Sequence, residues 1–457
     1  MAKLNVVILA AGTGKRMQSS VPKVLHTLGG IPLLKRVIDT ARLLEPDSIC
    51  VVIGHGGERV RQSIVDTDLI WVTQQQQLGT GHAVMQALSF LDHDGSTLIL
   101  YGDVPLVSIE VLRKLKALAL KDRCALISAF IKDPTGYGRV IRDPVTSAIT
   151  KIVEQKDATQ EQHSICEINT GIMLIPNCYL HDWLPKIGNN NSQREYYLTD
   201  VVSMAVREGI EIASIQPENL WEIAGVNDKL QLAELERIYQ LECANKLLKN
   251  GVYLADPSRI DIRGELNCGS EVSIDINCVF EGVVNLHDDV QIGPHCILKN
   301  VTVAKGTIVA PYSLIEDTEI GEKCKIGPYA RIRPGTKLFN EVHIGNFVEV
   351  KNSQIGLRSK ANHLSYIGDT IIGGKVNIGA GTITCNYDGA YKHQTIIEDD
   401  VFIGSDTQLI APVKISKGST IGAGSTITKD TPEGALTLSR TRQVSYSEWQ
   451  RPTKTKS

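Results

Sequence analysis

A six-residue spacing of aliphatic side chains runs through the second half of the chain and leaves few folds open to it. Ile274, Phe280, Leu286, Ile292 and Leu298 lie on this spacing, as do Val303, Val309 and Ile315. Ile320, Ile326, Ile332, Leu338, Ile344 and Val350 continue it, then Ile372 and Ile378, and finally Ile397, Ile403, Leu409, Ile415, Ile421 and Ile427. Such a period matches neither the roughly 3.6 residues of a helix nor the 2 of a strand. It matches a triangular coil with one short strand per side and each aliphatic turned inward. Three sides make a turn of about 18 residues, and stacked turns lie about 4.8 Å apart. Every regular member of the series is therefore read as core. The series lapses twice, at 356–371 and 379–396, and insertions in a solenoid form loops on one face, often the binding face.

Composition agrees with a long, turn-rich chain. The 457 residues, 39 of them Gly, carry only 5% aromatics, and that length exceeds one ordinary core. The formal net charge of −3 and pI near 6.4 suggest neither a nucleic-acid partner nor a membrane surface, so anionic ligands need local cations. The ten cysteines are scattered, with no CxxC pair, and read as reduced thiols rather than disulfides or a zinc site. The apolar run from Leu4 to Ala11 lacks a basic leader and is too short to span a bilayer. A cytoplasmic location is expected.

Ahead of the repeats the pattern alternates. Short apolar runs at 5–10, 48–53 and 97–101 read as buried parallel strands, and 33–44 and 82–91 as helices between them. This predicts an α/β Rossmann-like domain over 1–227, with ligands at the carboxyl ends of its strands. Leu230, Leu235, Ile238, Leu241 and Leu248 at helical spacing, with Gly251 as C-cap, predict a linker helix over 228–250. The coil then occupies 251–457 and ends in a basic tail (Arg440, Arg442, Arg451, Lys454, Lys456).

The segment Leu9-Ala10-Ala11-Gly12-Thr13-Gly14-Lys15-Arg16-Met17 follows the first strand directly. A glycine-rich turn with two cations suits a phosphate. It is neither a Walker A loop, since Leu9 and Arg16 stand where Gly and Ser/Thr belong, nor a dinucleotide fingerprint, since Met17 replaces the third glycine. Pro22-Lys23 follows, then Gln77-Leu-Gly79-Thr80-Gly81, and Tyr101-Gly102-Asp103 closes a later strand. A carboxylate at a strand end beside phosphates is a natural Mg²⁺ ligand.

These motifs resemble those of the sugar-1-phosphate nucleotidyltransferases, and the match extends through Gly136-Tyr-Gly138-Arg139, Glu154, Asn169-Thr-Gly171 and Gly225-Val-Asn227. The hexapeptide pattern resembles the left-handed parallel β-helix of the acyltransferases; the hand is implied by that resemblance alone. Nearly the whole chain thus resembles the bacterial family that joins a UDP-N-acetylglucosamine pyrophosphorylase to a glucosamine-1-phosphate N-acetyltransferase. The resemblance implies that Leu9, Ala10, Ala11 and Gly12 present backbone to the nucleotide while Gln74, Gly79 and Thr80 read the uracil. Arg16 and Lys23 would meet the phosphates, Asp103 and Asn227 would hold Mg²⁺, and Tyr101, Gly102, Gly138, Glu154 and Asn169 would complete the UDP-GlcNAc site. Lys15 departs from the family, where Thr is common; the loop keeps its glycines and charge.

In the second half, Asn346 to Lys351, Ala361-Asn362-His363-Leu364-Ser365-Tyr366 and Asn377 to Thr382 match the family's acetyltransferase site. Attack of an amine on a thioester requires a base, and an imidazole, titrating at about 6.5, suits neutral pH. The resemblance implies His363 as that base, with Glu349 fixing its tautomer. It assigns Arg333, Lys351, Tyr366 and Asn377 to glucosamine 1-phosphate, and Ala380, Asn386, Tyr387, Ser405, Ala423 and Arg440 to acetyl-CoA. Asn362 stands where the family has Gly, and Asn tolerates the left-handed backbone. A homotrimer built through the β-helix is also implied, with small molecules as the substrates and acetyl-CoA and UTP as co-substrates.

Three rivals differ in testable features. A nucleotidyltransferase with a non-catalytic β-helix scaffold would not need the His363 loop with Lys351, Asn386 and Tyr387. A non-catalytic assembly subunit would not need Arg16, Lys23, Asp103 and Asn227. A metal hydratase would need converging histidines, and His343, His363 and His393 fall at different phases of the repeat.

Overall fold

The computed structural model describes residues 3–54, 56–118 and 123–453; of the basic tail, Lys454 and Lys456 lie outside the described residues. The chain divides into two compact units, one up to Tyr239 and one from Gln240.

In the first unit a nine-stranded sheet forms the framework. Leu4–Ala10 lies at its centre, wholly buried, and pairs in parallel with Ser48–Ile53 on one side and Ser96–Tyr101 on the other. Alternation then divides the strand between two cores: Val6 and Ile8 pack on one face, Val7 and Leu9 on the other. Glu167–Pro176 runs antiparallel to both Ser96–Tyr101 and Arg123–Phe130, so the sheet is mixed. Because successive crossovers from the central strand go to opposite sides, the carboxyl ends of Leu4–Ala10 and Ser96–Tyr101 flank an open crevice, the place where α/β sheets bind ligands.

The helix Lys229–Lys249 does not serve as a free linker. Leu235 joins a core with Met17, Leu28, Leu33 and Val226 in the first unit, and Ala244 belongs to the core of the second. Gly251, at φ +88°, ends it as the sequence predicts: the Val252 amide donates to the Leu247 carbonyl at 3.0 Å and the Gly251 amide to Leu248 at 3.0 Å, the paired bonds of a Schellman motif.

The second unit is a parallel β-helix. Ile274, Ile292, Val309, Ile326 and Ile344 pair in register along one side, and the other two sides stack likewise. All the inward aliphatics merge into one continuous core. The turn is not a strict multiple of six. Val309 pairs with Ile326 and Ile326 with Ile344, an advance of 17 and then 18, because one side often carries five residues. Corners are turned by residues in the left-handed region, among them His295, Tyr312, Tyr329, Phe347 and Leu364. Three of these side chains continue a stacked row from His295, with ring centroids 4.8, 4.9 and 5.4 Å apart.

The two lapses in the repeat have different causes. At 356–371 there is no inserted loop: Ala361 and Ile367 take inward positions, each 1% exposed, in the strands Lys360–His363 and Tyr366–Gly368. An alanine on the inward side hides from a count of large aliphatics, and the five-residue step from Ile367 to Ile372 shifts the phase. In the second lapse Thr384 is the inward residue, and the insertion shrinks to 386–394, closed by a bridge between Tyr387 and Lys392. No helix among the described residues is long and apolar enough to cross a membrane.

Candidate active sites

At the crevice of the first unit, the loop after Leu4–Ala10 turns through Gly14 at φ +60°. A Cβ there would stand 2.8 Å from the Lys23 Cβ, so the glycine lets Lys23 approach the loop. The Lys23 ammonium makes an ion pair with Asp103 and donates to Asn227 Oδ1 at 3.3 Å. The Val226 amide donates to the Asp103 carbonyl at 2.8 Å, which ties the segment of Asn227 to that of Asp103. Three sequence-predicted residues from distant segments thus meet. Arg16 is exposed on the same loop, Gly12 is open, and Leu9, Ala10 and Ala11 are buried. Gly102 donates its amide to the Leu9 carbonyl at 2.9 Å.

Tyr101 lies between this group and a second. Burial pushes its phenol pKa up, and the charges of Glu154 and Asp103 add to that. Its ring covers Gly171, where a Cβ would come within 2.4 Å of the tyrosine Cε2. Asn169 Oδ1 accepts from the Gly171 amide at 3.1 Å, and Asn169 pairs with Gly138 across the strands. A Cβ on Gly138 would stand 3.5 Å from both Glu154 carboxylate oxygens. Burial raises the Glu154 pKa, partly offset by the Thr199 hydroxyl, which donates to it at 2.9 Å. Sequence reading missed Thr199, which lies far along the chain without a motif. Gln74, nearly buried, donates to the Gly79 carbonyl at 3.1 Å and lies 3.0 Å from His82 Nδ1. Thr80 accepts from the Leu198 amide at 3.1 Å.

In the second unit, His363 is exposed at a corner of the coil. Backbone bonds from Leu364 to Asn346, Gly381 to Leu364, Asp406 to Ala380 and Gly424 to Ser405 stack one corner turn upon turn. His363, Ala380, Ser405 and Ala423 therefore form a row up that corner, and Arg440 reaches it by donating to the Ala423 carbonyl at 2.9 Å. The spacing of turns makes this row roughly 14 Å long.

A second group occupies the adjoining face. Arg333 donates to Glu349 at 2.8 Å, Glu349 pairs in register with Tyr366, and Asn386 donates to Asp369. Lys392, which sequence reading missed, faces Lys351, whose ammonium group lowers the Lys392 pKa, partly offset by the charge of Asp369. Two expected contacts are not seen among the described residues. Glu349 is engaged by Arg333, and His363 Nδ1 lies 3.0 Å from Asn346 Oδ1. Asn377 pairs with Lys360 and Phe402 on another face, and no contact among the described residues joins it to Lys351 or Tyr366. Tyr387 is exposed, its hydroxyl donating to the Gly389 carbonyl at 2.6 Å.

Comparison with known proteins covers both units. The family description "MobA-like NTP transferase domain" matches residues 6–166, and "Bacterial transferase hexapeptide (six repeats)" matches 394–429. A protein of Nitrosospira multiformis named "Bifunctional protein GlmU" is 64% identical over 454 residues, covering 99% of each chain. Those of Nitrosomonas eutropha, 61% identical over all of both chains, and Herminiimonas arsenicoxydans, 57% identical over 99% of this chain and 100% of its own, carry the same name.

Proposed function

The chain belongs to the bifunctional GlmU family, and on that premise we propose how its two units divide the work. It is an enzyme of two activities, a glucosamine-1-phosphate N-acetyltransferase and a UDP-N-acetylglucosamine pyrophosphorylase, and it serves cell-wall precursor synthesis. The second unit acetylates glucosamine 1-phosphate with acetyl-CoA. The first then transfers uridylyl from UTP to N-acetylglucosamine 1-phosphate and releases pyrophosphate. The observation that carries the two-site reading is that each unit gathers its own charged cluster, Lys23 with Asp103 and Asn227 in one, Lys351 with Lys392 beside the His363 row in the other.

In uridylyl transfer the sugar phosphate oxygen attacks the α-phosphorus of UTP in line, and the bond to pyrophosphate breaks. The attacking oxygen is already anionic, so no base is required, and rate comes from positioning and charge neutralisation. Lys23 and Arg16 meet the phosphates; Leu9 to Gly12 present backbone. Gln74, Gly79 and Thr80 hold the uracil, and Tyr101, Gly102, Gly138, Glu154 and Asn169 hold the sugar and its phosphate. Asp103 and Asn227 would hold one cation through a carboxylate and an amide oxygen, the hard donors that suit Mg²⁺. Their convergence on the Lys23 ammonium supports that fit. Bound there, Mg²⁺ would neutralise the charge that builds on the phosphates.

In acetyl transfer the amine nitrogen attacks the thioester carbonyl, His363 takes the amine proton, and the carbon–sulfur bond breaks to release CoA. Arg333, Lys351, Lys392 and Tyr366 bind the sugar phosphate. Ala380, Ser405, Ala423 and Arg440, with Asn386 and Tyr387, bind acetyl-CoA along the corner row. Asn377 sits on a different face, and a second copy packed alongside would bring such faces together, which supports a trimer through the coil. A cytoplasmic location fits substrates of this kind.

The test is a coupled assay of the purified protein with glucosamine 1-phosphate, acetyl-CoA, UTP and Mg²⁺. UDP-GlcNAc should form, and His363→Ala should stop it at acetylation. Wild-type protein that releases no CoA would leave the coil a scaffold.

A further inference from the structure

His363 stands on the Lys360–His363 strand, directly above Asn346 on the His343–Asn346 strand, and the two residues pair in register. The Leu364 amide donates to the Asn346 carbonyl at 3.1 Å, so the pair is held by backbone on the same step. On the next residues, Phe347 and Leu364, the chain turns the corner at φ +60° and +46°. The Phe347 ring stacks on Tyr329. The 3.0 Å contact between His363 Nδ1 and Asn346 Oδ1 therefore rests on a fixed frame. An amide oxygen only accepts, so the imidazole must carry its proton on Nδ1, which leaves the Nε2 lone pair free.

We propose that Asn346 is the positioning residue of the acetyltransferase site, holding His363 in the Nδ1–H tautomer so that Nε2 faces the amine. The proposal deepens the acetyl-transfer reading and rests on it. An amide has a specific advantage over a carboxylate here. It orients the ring through a neutral acceptor and adds no negative charge beside it. Glu349, the acidic alternative, is engaged by Arg333.

The test measures acetyl transfer and uridylyl transfer on the same full-length preparations. Asn346→Ala should lower kcat for acetylation on the order of 10- to 100-fold, part of the roughly 10²–10⁴-fold that a positioned base supplies. KM for glucosamine 1-phosphate and acetyl-CoA should stay within about twofold of wild type, since Asn346 binds neither. Asn346→Asp keeps the acceptor and should restore much of the rate, but its carboxylate should move the acid limb of the acetylation pH profile up by about one unit. Nitrogen-15 shifts of His363 should report Nδ1–H in the wild type and a mixture in Asn346→Ala. Uridylyl transfer, unchanged in both variants, reports intact protein. An alanine variant of wild-type kcat, an aspartate variant with an unmoved acid limb, or an Nε2–H tautomer in the wild type would each overturn the assignment. A wild type that transfers no acetyl group would instead overturn the reading beneath it.

Discussion

Burial disfavours the charged form of a carboxyl group, and Glu154 is held in that condition beside Gly138 and Thr199, its pKa above the ordinary carboxylate value. The folded state then binds a proton more tightly than the unfolded chain does, so stability falls as pH rises through the unfolded value. Glu154→Gln keeps an acceptor for the Thr199 hydroxyl without the charge. It should raise the melting temperature of the first unit at pH 8, with the gain shrinking towards pH 4.5, while uridylyl transfer drops at least tenfold. Thermal unfolding at several pH values, run beside the activity assay, checks both halves; an equal gain at every pH would rule out the charge as the cause. Gly171 is constrained differently. At φ +84° with the Tyr101 ring 2.4 Å from a would-be Cβ, Gly171→Ala should displace that ring and cut uridylyl transfer at least tenfold, with acetyl transfer untouched. At this scale the sequence identified Lys23, Asp103 and Asn227 by motif, but their meeting could not be read from spacing. The partner of His363 could have been. Asn346 precedes it by 17, one turn of this coil, whereas Glu349 falls short of a turn and lands on the next side.

Elements of the coil stabilise one another only through their neighbours, so its first turn needs a lid. The helix Lys229–Lys249 supplies one through Gln240, which is 1% exposed. Gln240 donates to the Ile262 carbonyl at 2.8 Å and accepts from the Ile262 amide at 2.7 Å, standing in for the strand that a preceding turn would have offered. Gln240→Ala would leave both backbone groups buried without that partner, at about 1–3 kcal/mol each. We expect the coil transition to fall in urea midpoint, and the Ile262 amide to exchange faster while amides near Ile403 keep their protection. Hydrogen exchange read residue by residue separates these outcomes, and uniform loss of protection would contradict a local lid. The period itself was legible because large inward aliphatics recur. Ala361 and Thr384 escaped because size and polarity, the signals being counted, are relaxed at positions that still point inward. The true insertion at 386–394 was correctly placed but overestimated in length for the same reason.

At the scale of the molecule, each of the two units has a core of its own and a cluster of its own. The boundary falls inside the helix that the sequence assigned to a linker, because helical periodicity reports that a face is buried and not against which unit. Separate clusters have a kinetic consequence. In the proposed division, uridylyl transfer would draw on Lys23, Asp103 and a divalent cation, whereas acetyl transfer would draw on His363, Lys351 and Lys392 and needs no cation to balance its chemistry. Lys23→Ala and Asp103→Ala should therefore each lower uridylyl transfer by at least about 10³-fold, the scale of removing a principal electrostatic stabiliser, with CoA release from glucosamine 1-phosphate and acetyl-CoA unchanged. His363→Ala should do the reverse, and supplied N-acetylglucosamine 1-phosphate should still be converted. Adding EDTA should reproduce the Lys23→Ala phenotype in the wild type, and excess Mg²⁺ should reverse it. Asp103→Ala should also need more Mg²⁺ for half its residual rate, a shift that Lys23→Ala should not show, because an ammonium group offers the cation no oxygen. A single substitution in either cluster that silences both reactions in protein of unchanged melting temperature would mean the two chemistries share machinery, and the division between units would have to be given up.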